Sequence, residues 1–243
     1  MQPRKSRKRR TSARGPRPWL PVAIVGTAAI LAVVLIVVFS NVGGSSSPGP
    51  KATPGPTVAA PQHGVSLGQD DAPLTMAEYF SFQCSHCGDF ALQTAPQIER
   101  DFVDTGKLRI EFHALGNEGD LLLASEAAAC AGEQNRYVEY YRYVFANRER
   151  GFGKGMLQEY ARDLKLDATA FNACLDSNEY GAEIVNETNR AIQLNLGTPS
   201  FFLGKTASMQ SKSLPYSGET AIMGAEPYDA FKKAIEDALT EVQ

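Results

Sequence analysis

The hydrophobic and polar positions divide this chain into three stretches of different character. Residues 19–40 carry no charged side chain and consist mainly of Val, Ile, Leu and Ala. Residues 41–64 are rich in Gly, Ser, Pro and Ala and show no hydrophobic period. From residue 65 to residue 243, apolar side chains recur with the periods of strands and helices. The pattern predicts a transmembrane helix, a flexible linker and one folded domain.

Within the folded domain, the apolar periods predict strands and helices in a definite order. The domain begins with a strand at 74–82, a helix at 85–103 and a strand at 108–115. It finishes with strands at 200–203 and 220–223 and a helix at 228–242. The stretch between them, about 120–195, has only helical periods, at about 121–131, 134–147, 155–164, 168–175 and 179–194. The sequence therefore predicts an α/β domain in which a helical subdomain separates a β-α-β half from a β-β-α half.

The charge distribution orients the predicted membrane segment. Eight basic side chains and no acidic one precede it, within residues 1–18, although the whole chain has a net charge of -3. As a helix, residues 19–40 span about 33 Å, which matches a hydrocarbon core of about 30 Å. Because basic residues favour the cytoplasmic side, we expect a cytoplasmic tail, an anchor in the lipid bilayer and an extracytoplasmic domain, with no nucleic-acid partner. A cleaved signal peptide is the alternative, although its apolar region is normally shorter.

All four cysteines lie beyond the predicted membrane segment, in the compartment where disulfides persist. Cys84 and Cys87 form a CxxC motif, whereas Cys130 and Cys174 both fall in the predicted helical subdomain. We expect Cys130 and Cys174 to form a structural disulfide. A second redox relay is the alternative.

Cys84 stands where the first predicted strand meets the first predicted helix. The N-terminus of a helix leaves backbone N–H groups unpaired and carries the positive end of the helix dipole, which favours a thiolate. At such a position the pKa of a cysteine falls from about 8.5 to about 3.5–7.5. His86 can donate a hydrogen bond or a charge to this thiolate. We expect a substrate thiolate to attack Cys84 and to release Cys87, which lies one helical turn further along.

Other interpretations of the CxxC motif remain open at this point. A structural disulfide, a zinc knuckle, and a copper carrier that uses Cys84, Cys87 and His86 are each compatible with a lone motif. A tetrahedral zinc site needs four ligands, and the chain has no second CxxC. The copper carrier needs further soft ligands close by. We expect no metal and no organic cofactor, and we expect His113 to be an ordinary packing residue.

Three segments together resemble the DsbA-like branch of the thioredoxin superfamily, which consists of thiol:disulfide oxidoreductases that work outside the cytoplasm. They are 78–87 (EYFSFQCSHC), 198–202 (TPSFF) and 224–228 (GAEPY). The resemblance extends over nearly all of 65–243. It implies a thioredoxin fold with an inserted helical subdomain, preceded here by the predicted anchor and linker.

The resemblance also implies roles for further residues. It implies a cis peptide bond before Pro199, beside the cysteine pair, and a Thr198 backbone that pairs with an extended substrate segment. It suggests that Glu78 is a buried carboxylate that exchanges protons with Cys87; a surface position for Glu78 is the alternative. Ser85 stands where the best-known oxidases have Pro, which bears on the redox potential.

His86, at the second position between the two cysteines, is a feature shared with the oxidising members of this branch and favours a dithiol oxidase. Such a protein passes its Cys84–Cys87 disulfide to reduced secreted or envelope proteins as they fold. A membrane quinone-linked partner, DsbB-like or VKOR-like, then reoxidises it. A reductase or isomerase of the same fold is the alternative within the class. The segment 205–217 has no counterpart in the resemblance, and the sequence assigns it no role.

Overall fold

The computed structural model describes residues 51–55, 59–209, 214 and 219–242. The predicted tail 1–18, the predicted anchor 19–40 and the first ten residues of the predicted linker lie outside these ranges. Within the described ranges, no helix combines the length and the apolar character needed to cross a bilayer. The membrane anchor therefore stays a prediction from the sequence.

The described strands form one six-stranded mixed sheet. They are β1 (Gln62–His63), β2 (Ser66–Leu67), β3 (Leu74–Phe80), β4 (Leu108–Ala114), β5 (Ser200–Lys205) and β6 (Thr220–Met223). Their order across the sheet is β1-β2-β4-β3-β5-β6. β3 and β4 run parallel, and the other neighbouring pairs are antiparallel. β3 lies near the middle of the sheet and is buried along its whole length, so it forms a rigid support for the residues that follow it.

A helical run from 85 to 103, named α1 here, connects β3 to β4 and completes the predicted β-α-β unit. It consists of α-helical Ser85–Asp89, π-helical Phe90–Thr94, α-helical Ala95–Ile98 and π-helical Glu99–Val103. Pro96 stands inside the run and has no N–H to donate, which interrupts the regular α-helical hydrogen bonding. Wider π turns lie on both sides of it. These turns account for the imperfect apolar stripe in this part of the sequence.

Between β4 and β5 the chain forms the predicted helical subdomain. Its helices are α2 (Gly119–Gly132), α3 (Tyr137–Ala146), α4 (Lys154–Asp163), α5 (Ala168–Ser177) and α6 (Gly181–Gln193), with a 3-10 turn at Arg148–Arg150. These bounds confirm the predicted helical pieces to within a few residues. Tyr137, Tyr140 and Tyr141 of α3 are buried in the same core as Phe80 and Phe112 of the sheet. The helical subdomain and the sheet therefore share one hydrophobic core.

The second half of the fold adds β5, a short helix α7 (Thr206–Met209), β6 and the closing helix α8 (Tyr228–Thr240). Helix α8 buries Phe231 and Ile235. The ring of Phe231 packs against Phe90 of α1 and Phe201 of β5, with ring centroids 5.2 and 4.8 Å apart. Because aromatic side chains bury large areas, this trio holds α1 and α8 on the same face of the sheet.

The segment 205–217, to which the sequence assigned no role, is described at 205–209 and at 214. Met209 and Leu214 are buried in a small apolar cluster with Tyr79 and Phe202. Neighbouring residues of a strand point to opposite faces of the sheet, so Tyr79 faces away from Glu78. The described part of the segment therefore covers the face of the sheet opposite to Glu78.

The described part of the predicted linker corrects the expectation of a free tether. Lys51 forms ion pairs with Glu159 and Asp163 of α4. The buried Gln62 of β1 accepts a hydrogen bond from the N–H of Val138 at 2.9 Å. A composition without a hydrophobic period excludes a core of its own, but it leaves polar side chains and backbone groups that can pair with an existing domain. The packed domain therefore begins before residue 65.

Cys130 of α2 and Cys174 of α5 form a disulfide, with Cα atoms 5.8 Å apart, which confirms the expected pairing. The two cysteines are 44 residues apart in the sequence. Replacing both by Ala is expected to lower the free energy of unfolding by about 4 kcal/mol, because the open loop gains conformational freedom in the unfolded chain. Urea denaturation of the two proteins measures the difference.

The rate at which Cys84 reacts with iodoacetamide is the control for this experiment, and a purely structural disulfide leaves that rate unchanged. A variant that keeps its stability but loses thiol:disulfide exchange would instead favour the second redox relay.

Candidate active site

Cys84 caps the N-terminus of α1. Its backbone is extended, with φ -74° and ψ 120°, and its Sγ accepts a hydrogen bond from the Cys87 N–H at 3.4 Å. The Cys84 N–H donates to the Ser81 carbonyl at 2.9 Å, which closes the turn between β3 and α1. The sulfur therefore lies where helix N-termini bind anions. The predicted strand-to-helix junction is confirmed.

Hydrogen bonding at this junction favours the Cys84 thiolate. Partial burial acts to raise the pKa of Cys84, but hydrogen bonds from the Cys87 thiol and N–H, from the Thr198 side chain and from the His86 backbone outweigh burial and lower that pKa below its ordinary value. One contact works the other way: the Thr198 carbonyl, 3.3 Å from Sγ, accepts a hydrogen bond only from the neutral thiol. The donors prevail, so Cys84 is an acidic thiol.

Cys87 has the opposite environment. It is buried in the main hydrophobic core, without solvent contact. Burial raises the pKa of the Cys87 thiol far above its ordinary value, and the hydrogen bond with Cys84 and the nearby charge of Glu78 raise it further. An anion is therefore stable at Cys84 and unstable at Cys87. This contrast agrees with the prediction that Cys84 is the attacked sulfur and Cys87 the internal one, and those roles stay a prediction.

The loop before β5 lies against the cysteine pair. The Thr198–Pro199 peptide bond is cis, as the resemblance implies. The Pro199 carbonyl accepts a hydrogen bond from the Gly224 N–H at 2.8 Å, which ties the loop to the end of β6. Gly224 has a φ of 88°, a conformation that favours glycine. Thr198 is thus held beside Cys84, while its pairing with a substrate backbone stays a prediction.

Glu78 is completely buried on β3, which rules out the surface position considered for it. Tyr141 of α3 donates a hydrogen bond to Glu78 Oε1 at 2.7 Å, whereas Oε2 has no partner among the described residues. Burial raises the pKa of Glu78 to about 8; the Tyr141 hydrogen bond and the charge of Arg142 lower it, and the charge of Glu99 raises it. A carboxyl group with such a pKa carries a proton at neutral pH and loses it slightly above, which suits proton exchange.

Tyr141 was not among the site residues predicted from the sequence. Its ring packs against Phe80 and Phe145 with centroids 4.8 and 5.0 Å apart, inside the shared core. The available signal was the spacing of Tyr137, Tyr141 and Phe145, four residues apart, which places three aromatic rings on one face of a helix. That spacing predicts a buried face. It does not indicate that this face meets the Glu78 carboxyl.

His86 and Ser85 are both exposed. The side chain of His86 is 74% exposed, and its Nδ1 lies 3.7 Å from Asp89 Oδ2. The described contact of His86 with Cys84 comes from its backbone. A contribution of the imidazole to thiolate stability therefore stays a prediction. Ser85 is the first residue of α1, and a role for it in setting the redox potential likewise stays a prediction.

His113 lies on the other face of the sheet and takes part in packing. Its Nδ1 is 2.7 Å from Glu187 Oε1, and its ring stacks on Tyr79 with centroids 4.5 Å apart. Among the described residues, no group of three or more His, Cys, Asp or Glu side chains could hold a metal ion. The copper-carrier interpretation therefore lacks, in this part of the chain, the further ligands that it requires.

An acidic cysteine at a helix start, a buried second cysteine three residues later and a cis proline beside them define a thiol:disulfide oxidoreductase of the thioredoxin fold. Comparison with known families agrees with this class. A family model described as thioredoxin matches residues 61–237, well over half of the chain. The chain belongs to this thioredoxin family and is a DsbA-like thiol:disulfide oxidoreductase.

Individual relatives support the same class. The probable disulfide bond formation protein D of Bacillus anthracis is 25% identical over 206 residues, which cover 80% of this chain and 92% of that protein. The crystal structure of alpha-DsbA1 from Wolbachia pipientis has a TM-score of 0.62 at 26% identity and covers 73% of this chain and 92% of that one. The crystal structure of oxidised BdbD from Bacillus subtilis has a TM-score of 0.59 at 20% identity and covers 76% of this chain and 100% of that one. At this identity the likeness shows the fold alone.

Proposed function

We propose that this protein is a dithiol oxidase that donates the Cys84–Cys87 disulfide to proteins folding outside the cytoplasm. The contrast between the two thiols carries the proposal, because the pKa of Cys84 is lowered and that of Cys87 is raised. Stabilising the Cys84 thiolate stabilises the reduced form of the enzyme. A disulfide whose reduced form is stabilised is a strong oxidant, as in DsbA.

The exchange proceeds in two balanced steps. A substrate thiolate attacks Cys84 Sγ, the Cys84–Cys87 bond breaks, and the electron pair goes to Cys87 Sγ, which takes up a proton. A second substrate thiolate then attacks the substrate sulfur of the mixed disulfide and releases the Cys84 thiolate. Two substrate thiolates become one disulfide, and the enzyme disulfide becomes a thiol at Cys87, which has taken up one proton, and a thiolate at Cys84. Pairing of the Thr198 backbone with the substrate during the first step is part of the proposal, and the 3.3 Å distance between the Thr198 carbonyl and Cys84 Sγ supports it.

Glu78 supplies the proton that Cys87 needs. The thiolate released at Cys87 lies in the core, where burial makes the anion unstable. Glu78 is protonated near neutral pH, because its pKa is raised to about 8. The Glu78 carboxyl therefore gives its proton to Cys87 during substrate oxidation and takes it back when Cys87 attacks the mixed disulfide during reoxidation.

The location and the partners of the enzyme are part of the proposal. Residues 19–40 are apolar and follow a basic tail, which supports an anchor with the catalytic domain outside the cytoplasm. Reduced secreted or envelope proteins are the proposed substrates. A quinone-linked membrane protein, DsbB-like or VKOR-like, is the proposed reoxidising partner, because the exchange leaves the enzyme reduced and an external electron acceptor must restore its disulfide.

The redox potential of the Cys84–Cys87 pair tests the proposed direction of electron flow. Equilibrated in glutathione buffers, residues 51–243 are expected to show a potential closer to the value of about -120 mV for DsbA than to that of about -270 mV for thioredoxin. In a parallel ultraviolet titration, the Cys84 thiolate is expected to form well below the ordinary cysteine pKa of about 8.5. A potential at or below about -250 mV would instead support the reductase or isomerase alternative.

A further inference from the structure

The hydrogen bond between Tyr141 and Glu78 joins two parts of the fold that are distant in the sequence. Tyr141 belongs to α3 of the helical subdomain, and Glu78 belongs to β3 of the sheet, 63 residues earlier. Both side chains are buried at 1% exposure or less. Within a core of low polarity, a hydrogen bond to a carboxylate is electrostatically stronger than the same bond in water. Tyr141 is therefore in a position to influence the chemistry of Glu78.

The groups that face Glu78 come from four elements. Its neighbours in the register of the sheet, Phe112 of β4 and Phe201 of β5, are apolar. The titratable or charged groups that act on it come from α1 and α3, and they are Cys87, Glu99, Tyr137, Tyr141 and Arg142. Arg142 is already paired with Glu99. Among these groups, Tyr141 is the one with a described hydrogen bond to the carboxyl.

We propose that Tyr141 is a positioning residue for proton exchange: its hydroxyl holds the Glu78 carboxyl and sets the pH at which that carboxyl exchanges a proton with Cys87. The proposal rests on the proton-exchange role proposed above for Glu78. The transfer itself is balanced, since the neutral Glu78 acid and the Cys87 thiolate become the Glu78 carboxylate and the Cys87 thiol.

The geometry separates two tasks between the two oxygens of the carboxyl. Oε1 accepts the hydrogen bond of the Tyr141 hydroxyl at 2.7 Å. Oε2 has no hydrogen-bond partner among the described residues, and it is therefore free to carry the proton that moves. The bond from Tyr141 stabilises the carboxylate more than the neutral acid. It opposes the effect of burial and brings the ionisation of Glu78 close to neutral pH, where proton exchange with a thiol is useful.

The ionisation of Glu78 in a Tyr141→Phe variant tests the proposal. The protonated carboxyl is followed by infrared difference spectroscopy of the reduced protein, with Glu78→Gln as the reference that removes its signal. A hydrogen bond to a charged group corresponds to about a 10- to 100-fold change in an ionisation equilibrium, so the midpoint is expected to move up by about 1 to 2 pH units. A midpoint equal to that of the wild type would overturn the proposal.

Tyr140→Phe is the matched control. Tyr140 is the preceding residue of α3 and is also fully buried, but its hydroxyl donates to the Leu157 carbonyl at 2.9 Å. This variant loses one buried tyrosine hydroxyl and one hydrogen bond without touching Glu78. It is expected to keep the wild-type midpoint. If the midpoint of Glu78 ionisation shifted by the same amount in both variants, the cause would be loosened packing, and the role of Tyr141 would be overturned.

A second substitution keeps the test decisive should Tyr141→Phe fail to fold. Site-specific 3-fluorotyrosine at position 141 preserves the shape and makes the hydroxyl a stronger donor, so the Glu78 midpoint is expected to move down. An unchanged midpoint would again overturn the proposal.

The rate at which Cys87 closes the ring supplies the functional readout. The enzyme carrying glutathione on Cys84 is quenched with acid at intervals, and the glutathione that Cys87 releases is measured as a function of pH. The pH midpoint of this rate is expected to follow the infrared midpoint of each variant. An infrared shift without a kinetic shift would overturn the role in proton exchange. A failure of the oxidase assignment can be distinguished from a failure of this proposal. The oxidase assignment is tested by the redox potential, and its failure would leave the infrared midpoint and the kinetic midpoint unchanged.

Discussion

A Cys84→Ser variant is expected to lose thiol:disulfide exchange entirely, down to the rate of the buffer, whereas a Cys87→Ser variant is expected to complete the first step and stop. Cys84 is partly exposed at the start of α1, and its pKa is lowered by surrounding hydrogen bonds. Cys87 is buried, so solvent thiols do not reach it. With oxidised glutathione, Cys87→Ser should accumulate one glutathione per chain, and Cys84→Ser should accumulate none. Intact-protein mass spectrometry counts the adducts.

The Cys130→Ala/Cys174→Ala double variant is the control for this comparison. The disulfide that this variant lacks joins α2 and α5 in the helical subdomain, so the variant is expected to exchange with glutathione at the wild-type rate. Adduct formation by Cys84→Ser would refute the assignment of the attacked sulfur. The Cys87→Ser variant has no internal thiol that could displace glutathione from Cys84. If this variant released its glutathione as fast as the wild type, the assignment would also be refuted.

A Glu78→Gln variant is expected to be more stable than the wild type at pH 9, by up to about 4 to 5 kcal/mol in the free energy of unfolding, and equally stable at pH 4. Burial raises the pKa of this carboxyl from 4.5 to about 8. Below pH 4.5 it is protonated in both the folded and the unfolded chain. Between the two values only the unfolded chain releases the proton, so wild-type stability falls as pH rises, and above pH 8 the loss is complete.

Urea denaturation of the reduced proteins at a series of pH values measures this difference. The contribution of Cys84 ionisation is common to both proteins and cancels. Glutamine retains an oxygen that can accept the Tyr141 hydrogen bond, but it has no proton to exchange, so the stabilised variant is expected to oxidise substrates more slowly. Glu149→Gln, at a side chain that is 83% exposed, is the control and should change stability by less than about 0.5 kcal/mol. A difference that stays constant with pH would contradict the raised pKa.

Much of the fold follows from local patterns in the sequence. The helical periods between 120 and 195 predicted α4 to α6 closely, because each of these helices buries one face and ends at a polar turn. Helices α2 and α3 are buried around most of their surface, so the polar turns that bound them gave the stronger signal. The alternating or apolar runs predicted β3 to β5 for the corresponding reason, whereas the run at β6 was weak, and three of its four residues are exposed. α1 was predicted as one helix, and the interruption around Pro96 was missed. A proline at this position does not by itself predict an interrupted helix, since proline is also common in the first turn of a regular helix.

Other features could not be predicted because polar contacts leave no period in the sequence. The ion pairs of Lys51 and the buried hydrogen bonds of Gln62 fix residues that composition alone classed as linker. The burial of Met209 and Leu214 against the far face of the sheet is similar, because isolated apolar residues within a polar segment do not form a pattern.

The sequence by itself predicted the class of chemistry. A CxxC motif at the end of a strand-forming run places Cys84 at a helix start, which depends only on neighbouring residues, and the segments 198–202 and 224–228 add the resemblance to the DsbA-like branch. The tertiary structure decided how that chemistry is controlled. The separation of the pKa values of Cys84 and Cys87, the position of Thr198 beside the reactive sulfur and the bond from Tyr141 to Glu78 all join residues that are distant in the chain or depend on exclusion of water. Burial and long-range hydrogen bonds are properties of the folded core, and no local stretch of sequence contains them.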